Sequence, residues 1–157
     1  MGCAVEPDVN EGHSGGFRAG GQAANVDRML DSIDPEILAN DTAVIATINP
    51  AGVPQLTAVW YVIQDGRVRV SINRKRQKGR NLQKNPNVSL LIYHPDTQDY
   101  FAEIRGQATL IADDDYQLSD LIAKRYNADF RAFDQPGDGR WIIDVAPTRV
   151  VITDVRH

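Results

Sequence analysis

Seven consecutive residues, Arg74-Lys75-Arg76-Gln77-Lys78-Gly79-Arg80, hold five of the chain's seventeen basic side chains and no acid, in a chain whose net formal charge is −4. Cations this close repel one another and persist only where water screens them or where an anion is expected. The segment follows an alternating run, Arg67-Val68-Arg69-Val70-Ser71-Ile72, and leads into Asn81-Leu82-Gln83-Lys84-Asn85-Pro86, whose proline limits any helix. A strand, a basic turn and a short helix are predicted. Backbone N–H groups at such a helix start, with Arg and Lys beside them, suit a phosphate or a polycarboxylate.

Other chemistries find less support. There is no G-x-S-x-G elbow, and the His13-Ser14 pair lies in a glycine-rich stretch. His13, His94 and His157 are scattered and Cys3 is the single cysteine, so no metal site is expected; His94 reads as a strand-end residue. Neither G-x-G-x-x-G nor a Walker lysine motif occurs. The acid triplet Asp113-Asp114-Asp115 reads as a helix cap at the positive end of a helix dipole rather than as a cation site. Nucleic acid competes for the basic turn, because Lys and Arg clusters neutralise phosphates in a row, but a pI near 5.3 and the lack of an exposed aromatic pair that would mark an RNA-binding strand oppose it. A solvated turn with no ligand is the plain alternative.

The elements that must position this turn follow from pattern. At 157 residues and 42% hydrophobic content, one domain with one core is expected. Residues 1–24 carry six of the twelve glycines and few bulky apolar side chains, which predicts a flexible leader before a single domain at 25–157. The lone Cys3 implies no disulfide framework and points to a reducing cytoplasm. No run approaches a membrane span, and Glu6 stands where an acylation signal opening Met1-Gly2-Cys3 would need Ser or Thr.

Apolar spacing predicts two helical turns over 26–40, broken at Asp34-Pro35, then strands at 42–48 and 54–63 about the turn Asn49-Pro50-Ala51-Gly52. Gln64-Asp65-Gly66 turns the chain into a strand at 67–73. Further strands are read at 87–94 and 100–111, a helix through Leu118, Leu121, Ile122 and Tyr126, and two last strands at 140–145 and 149–154. Six or seven antiparallel strands with a few short helices give a mainly β, α+β fold closed into a small barrel.

The block from Ala46 to Tyr61, followed by Val70-Ser71-Ile72-Asn73 and by Arg76 to Pro86, resembles the flavin-binding split barrels related to pyridoxamine 5′-phosphate oxidase. Within them it looks most like the actinobacterial branch that uses the deazaflavin coenzyme F420. The likeness spans about residues 26–154. It implies that Gln55, Leu56, Thr57 and Trp60 line the cofactor ring and that Ser71, Ile72 and Asn73 approach its ribityl chain and phosphate. It further implies that Lys78 and Arg76 hold the phosphate, with Arg80 beside them. Tyr100 and Phe101 match a strand that reaches the cofactor from a partner subunit, which implies a homodimer with cofactor sites at its interface. Trp60 as barrel core and Tyr100 as ordinary dimer packing are the structural alternatives.

The oxidase proper carries a C-terminal Arg and His signature for its product, and the ending Val145-Ala146-Pro147-Thr148-Arg149-Val150-Val151-Ile152-Thr153-Asp154 has no counterpart. The resemblance therefore does not extend to pyridoxamine phosphate as substrate. Arg74, Lys75 and Arg80 add charge beyond one phosphate's need, which tilts the expectation from FMN toward coenzyme F420 with its polyglutamyl tail. The expected activity is hydride transfer from reduced deazaflavin to a small unsaturated organic molecule. The alternatives are an FMN-dependent oxidase or reductase and a flavin or deazaflavin carrier without turnover.

Overall fold

Alternation of apolar and polar residues sets the strands, and their turns set the order. In the computed structural model, which describes residues 28–157, strands β1 (Thr42–Ile48), β2 (Pro54–Trp60), β3 (Val62–Gln64), β4 (Arg67–Asn73), β5 (Asn87–His94), β6 (Thr97–Ala112) and β7 (Arg140–Asp154) form one antiparallel sheet. The expected leader, residues 1–24, lies outside the described residues. The sheet order is β2-β1-β5-β6-β7-β4-β3, a curled split barrel of the expected class. Short helices α1 (Pro35–Leu38), α2 (Gln77–Lys84) and α3 (Gln117–Arg125) and two 3₁₀ turns, Met29–Ser32 and Phe130–Ala132, complete it. No helix among the described residues is long and apolar enough to cross a membrane.

Three expectations are corrected. The single strand read at 54–63 is two, because the chain leaves β1 at Trp60 and joins β4 at Val62, so β2 and β3 lie at opposite edges of the sheet. The barrel is therefore split rather than closed by a hydrogen-bonded ladder. The two segments read at 140–145 and 149–154 are one strand: Pro147 donates no ladder bond, yet the strand continues through a bulge in which Gly106 pairs with Pro147 and Arg105 with Arg149. The short helix, placed after the basic turn from Asn81 onward, starts inside that turn at Gln77.

Inward residues of each strand build one core. Ile45, Val68, Val70, Leu90, Ile92, Ile104, Ile143 and Val145 are fully buried, and Leu30, Ile33 and Ile37 from the first turns cover one end of it. A smaller cluster on the outer face, Ile122, Ala123, Phe130 and Ile142, packs α3 onto β7. The start of β7 is thus buried on both faces. Asp65 and Gly66 both take positive φ, the geometry of a two-residue hairpin, so β3 is only three residues long and pairs only as far as Arg69. Among the described residues, β7 is the only strand beside β4 beyond Arg69, and the stretch Val70 to Asn73 pairs along one edge alone.

Gly106 is where the bulge requires a bare backbone, since a Cβ there would lie 2.3 Å from the Ala146 carbonyl oxygen and 2.9 Å from Val145. Gly106→Ala should lower stability by about 1–3 kcal/mol, the range of forced overpacking. Urea unfolding measures it, and an unchanged midpoint would mean that the bulge relaxes freely.

Candidate functional site

The gap between the two sheet edges holds a cavity of about 530 Å³. Thr57, Ala58, Val59 and Trp60 of β2 form one wall, Ser71, Ile72 and Asn73 on the singly paired stretch of β4 form another, and Phe130, Phe133 and Asp134 come from the loop after α3. Arg76 and Lys78 lie at the start of α2, while Thr42 and Arg140 complete the lining. Seven of the sequence-derived candidates meet here: Thr57, Trp60, Ser71, Ile72, Asn73, Arg76 and Lys78.

The other five are elsewhere. Gln55 accepts a hydrogen bond at 3.1 Å from Asn81, a fully buried residue of α2 that also donates to Thr47 Oγ1 at 3.0 Å and accepts from Gln77 at 2.9 Å. It fixes the basic helix to β1 and β2. Leu56 is 66% exposed on the edge strand. Arg80 donates to the Lys75 carbonyl at 2.5 Å. Tyr100 donates to Asp34 Oδ2 at 2.8 Å beneath the Arg156 guanidinium, and Phe101 packs edge-on to Tyr93. Both aromatics sit on β6 away from the cavity; their expected role concerns a second copy of the chain.

The polar wall is a single ordered network. Arg140, only 5% exposed, donates from Nε to Ser71 Oγ at 2.8 Å and from Nη1 to both oxygens of Asp134 at 2.8 and 2.7 Å, with its guanidinium 4.1 Å from the centre of the Phe130 ring. Asp134 also accepts from Asn73 at 2.9 Å and Tyr116 at 2.7 Å. Burial alone would raise its pKa, but the bonds from Asn73, Arg140 and Tyr116 outweigh that and hold the carboxyl below its ordinary value. Asp113 accepts from the Leu118 and Ser119 N–H groups, capping α3 as expected although Tyr116 occupies the cap position itself.

This network fixes two hydroxyl hydrogens. Arg140 can only donate and Asp113, as a carboxylate, only accepts, so the Ser119 hydroxyl donates to Asp113 at 2.5 Å and the Ser71 hydroxyl donates to Ser119 at 2.7 Å. With its proton committed, Ser71 Oγ has only an acceptor lone pair left to offer the cavity. It is suited to a ligand hydroxyl.

The basic turn divides in two. Arg74 pairs with Asp114 at 2.5 Å and lies 4.3 Å from the Trp141 ring centre, and Lys75 pairs with Asp138. Arg76 and Lys78 line the cavity and have no acidic partner among the described residues. Burial, and secondarily the Arg76 charge, holds the Lys78 ammonium below the usual lysine range. No side chain caps the start of α2 at Arg76, so that helix end is open to an anion. The lining combines the cations Arg76 and Lys78 with the aromatic and apolar surface of Trp60, Ile72, Phe130 and Phe133, which fits a planar ring carrying an anionic arm.

Sequence reasoning missed Thr42, Ala58, Val59, Phe130, Phe133, Asp134 and Arg140 in this lining. A cation opening the apolar run Arg140-Trp141-Ile142-Ile143 was the one available signal; the loop residues carried none.

Comparison with known proteins agrees with this fold. A family model described as pyridoxamine 5′-phosphate oxidase matches residues 29–154. A solved F420 reductase is 30% identical, over 70% of this chain and 88% of its own, with a TM-score of 0.62. Two further structures share the fold at 18% identity: the haem storage protein HutZ of Vibrio cholerae, over 83% of this chain and 99% of its own at a TM-score of 0.63, and General Stress Protein 26 of Bacillus anthracis, over 80% and 94% at 0.60.

The depressed carboxylates give a signed pH prediction. Asp138, held by Lys75, Asn73 and the Gln135 N–H, falls from 3.8 to about 2, and Asp134 is also lowered. A carboxyl whose folded pKa is depressed adds stability above its unfolded value and loses it as pH falls through the folded one. Stability should therefore drop between about pH 4 and pH 2, and Asp134→Asn should flatten that drop while lowering stability at pH 7. Thermal unfolding across pH checks both, and an acid limb identical to wild type would remove Asp134 from the account.

Proposed function

We propose, for a chain that belongs to the pyridoxamine 5′-phosphate oxidase family, that it is an oxidoreductase binding reduced coenzyme F420 in this cavity and passing hydride to a small unsaturated organic molecule. The observation that carries the reading is the pairing of Arg76 and Lys78, at an uncapped helix start, with an aromatic wall of Trp60, Phe130 and Phe133 across one cavity. The 30% identity to an F420 reductase supports the deazaflavin over other ring cofactors. We take the working form to be a cytoplasmic homodimer, on the family likeness and on the exposed aromatic and apolar rim at Leu56 and Phe133.

The reduced deazaflavin supplies the hydride when bound. The chain's own work is then binding, orientation and exclusion of water. Arg76 and Lys78 hold the anionic arm by charge-assisted hydrogen bonds, Ser71 accepts from a hydroxyl of the chain that joins arm to ring, and Trp60 with Ile72 supplies apolar surface. Asp134 cannot serve as acid or base, because both its oxygens are committed to Arg140 and its carboxyl is held ionised. The acceptor must therefore be one whose reduced form takes its proton from water or from Lys78.

A second reading, FMN, rests on one observation: Asp114 and Asp138 already engage Arg74 and Lys75, and Asp134 engages Arg140, so the two cations of the turn that line the cavity match a single phosphate. The Arg74–Asp114 pair has its carboxylate open to water and is weak, so a long anionic tail could still recruit Arg74.

Lys78→Ala should weaken cofactor binding by about 1.5–3 kcal/mol with the fold intact, as for other charge-assisted bonds. Fluorescence titration with coenzyme F420 of short and long glutamyl tails, and with FMN, at low and high salt, tests the site and the cofactor together. Deazaflavin affinity should exceed that of FMN and fall more steeply with salt. Tighter FMN binding at both salts would transfer the site to FMN, and equal affinities of wild type and variant would remove Lys78 from it.

A further inference from the structure

Where β2 ends and β3 begins, the chain passes from one edge of the sheet to the other through a single residue, Tyr61. Its ring is buried and its hydroxyl donates to the Asn40 carbonyl at 3.0 Å, but its backbone N–H and C=O belong to neither strand ladder. Buried backbone groups left unpaired are costly. One phenol answers both: the Tyr61 N–H donates to Tyr126 Oη at 3.1 Å, and the Tyr126 hydroxyl donates to the Tyr61 carbonyl at 2.7 Å.

The same ring lies flat on the preceding residue. Tyr126 and Trp60 stack with centroids 4.7 Å apart and planes 5° from parallel, while Phe130 tilts against the indole at 5.9 Å. Tyr126 ends α3, and Asn127 then takes a positive φ that turns the chain sharply into the loop bearing Phe130, Phe133 and Asp134. Tyr126 itself does not line the cavity, whereas Trp60 and those three loop residues do.

We propose that Tyr126 is a positioning residue for the aromatic wall of the cavity: its hydroxyl fixes the crossing at Tyr61 and its ring fixes the plane of Trp60, so that Trp60 meets a planar ligand already oriented. The ligand part of this inference rests on the reading that the cavity takes a flavin-like ring. A leucine at 126 fills space without a flat face or a hydroxyl, and a phenylalanine keeps the face alone.

The decisive experiment is a double-mutant cycle between Trp60 and Tyr126, read in dissociation constants for coenzyme F420 and FMN. Tyr126→Leu should weaken whichever of the two wild type binds by about three- to ten-fold, as expected for loss of an oriented aromatic stack, with Tyr126→Phe intermediate. In a Trp60→Leu background, Tyr126→Leu should add no further loss, because the effect runs through Trp60. Additive losses would mean that Tyr126 acts only on the fold, and would overturn the proposal. Trp60 and Trp141 are the chain's two tryptophans, so in Trp141→Phe protein the emission of Trp60 is read alone. It should shift to the red and become more open to acrylamide in Tyr126→Leu, and unchanged emission would also overturn the proposal. The emission arm needs no ligand. A wild type that binds neither cofactor would defeat the cofactor reading while still deciding whether Tyr126 holds Trp60. Tyr126→Phe keeps the test open should the leucine variant not fold.

Discussion

A guanidinium taken out of water must find partners for its donors, and Arg140 finds them on three separate parts of the chain. Ser71 lies on the neighbouring strand, Asp134 in the loop after α3, and Phe130 in the 3₁₀ turn before it. Removing either charge of the Arg140–Asp134 pair would leave the other buried and alone, which is why both must be present for the loop to lie against the sheet. Asn73 extends the tie by donating to Asp134 and to Asp138 at once, and Asp138 in turn holds Lys75. The cavity's polar wall, its loop wall and one flank of the basic turn are therefore one connected object. Its apolar wall is held by the crossing at Tyr61 and joins the network through Phe130, which tilts against Trp60.

Local pattern made much of this legible and left the rest out of reach for a physical reason. Strand alternation, Asp65-Gly66 and the Asp34-Pro35 break are local signals, and each produced its element near its expected place. The basic turn was legible because repulsion among five cations is a property of sequence alone. The split of 54–63 was not, because nothing local to Trp60-Tyr61-Val62 says that the two halves pair with strands on opposite edges; that is decided by β1 and β4 and by a tyrosine 65 residues further on. Pro147 suggested two strands where a bulge opposite Gly106 sustains one. The same limit applies to the site: Arg140, Asp134 and Phe133 are assembled by contacts that no spacing rule encodes, whereas Thr57, Trp60, Ser71 and Lys78 stand on strands and a turn whose order was readable.

The basic turn also shows how a formal charge count overstates what a ligand meets. Asp114 and Asp138 are far in sequence from the turn they neutralise, so the count over residues 74–80 gave five cations where the turn presents two to the cavity. Those two are distinct in kind. Arg76 is exposed at the helix start, while Lys78 is half-buried and has its ammonium destabilised by that burial and by Arg76 itself. An anion between them would relieve both the desolvation and the repulsion, so the site gains more from a bound anion than two exposed cations would. The Gln55–Asn81–Thr47 cluster keeps that gain from being lost to motion, because it anchors α2 through a buried amide directly behind the cationic face.

What the cavity lacks follows from the same ties. Among the described lining residues, Asp134 is locked as a carboxylate, the Ser71 proton is committed to Ser119, and Arg140, engaged through Nε and Nη1, is a guanidinium that does not give up a proton, which leaves Lys78 as the one lining group with a proton to give. A site so short of acid–base capacity is poorly built for hydrolysis or for proton abstraction, both of which need a poised group of their own. It is well built to hold a large flat molecule with an anionic arm in one orientation, since the Arg140 network and the Tyr61 crossing each fix one wall and meet at Phe130, which touches both Arg140 and Trp60. On the proposed reading, chemistry at such a site arrives with the bound ring, and the chain's contribution is to decide where the ring's reactive face points.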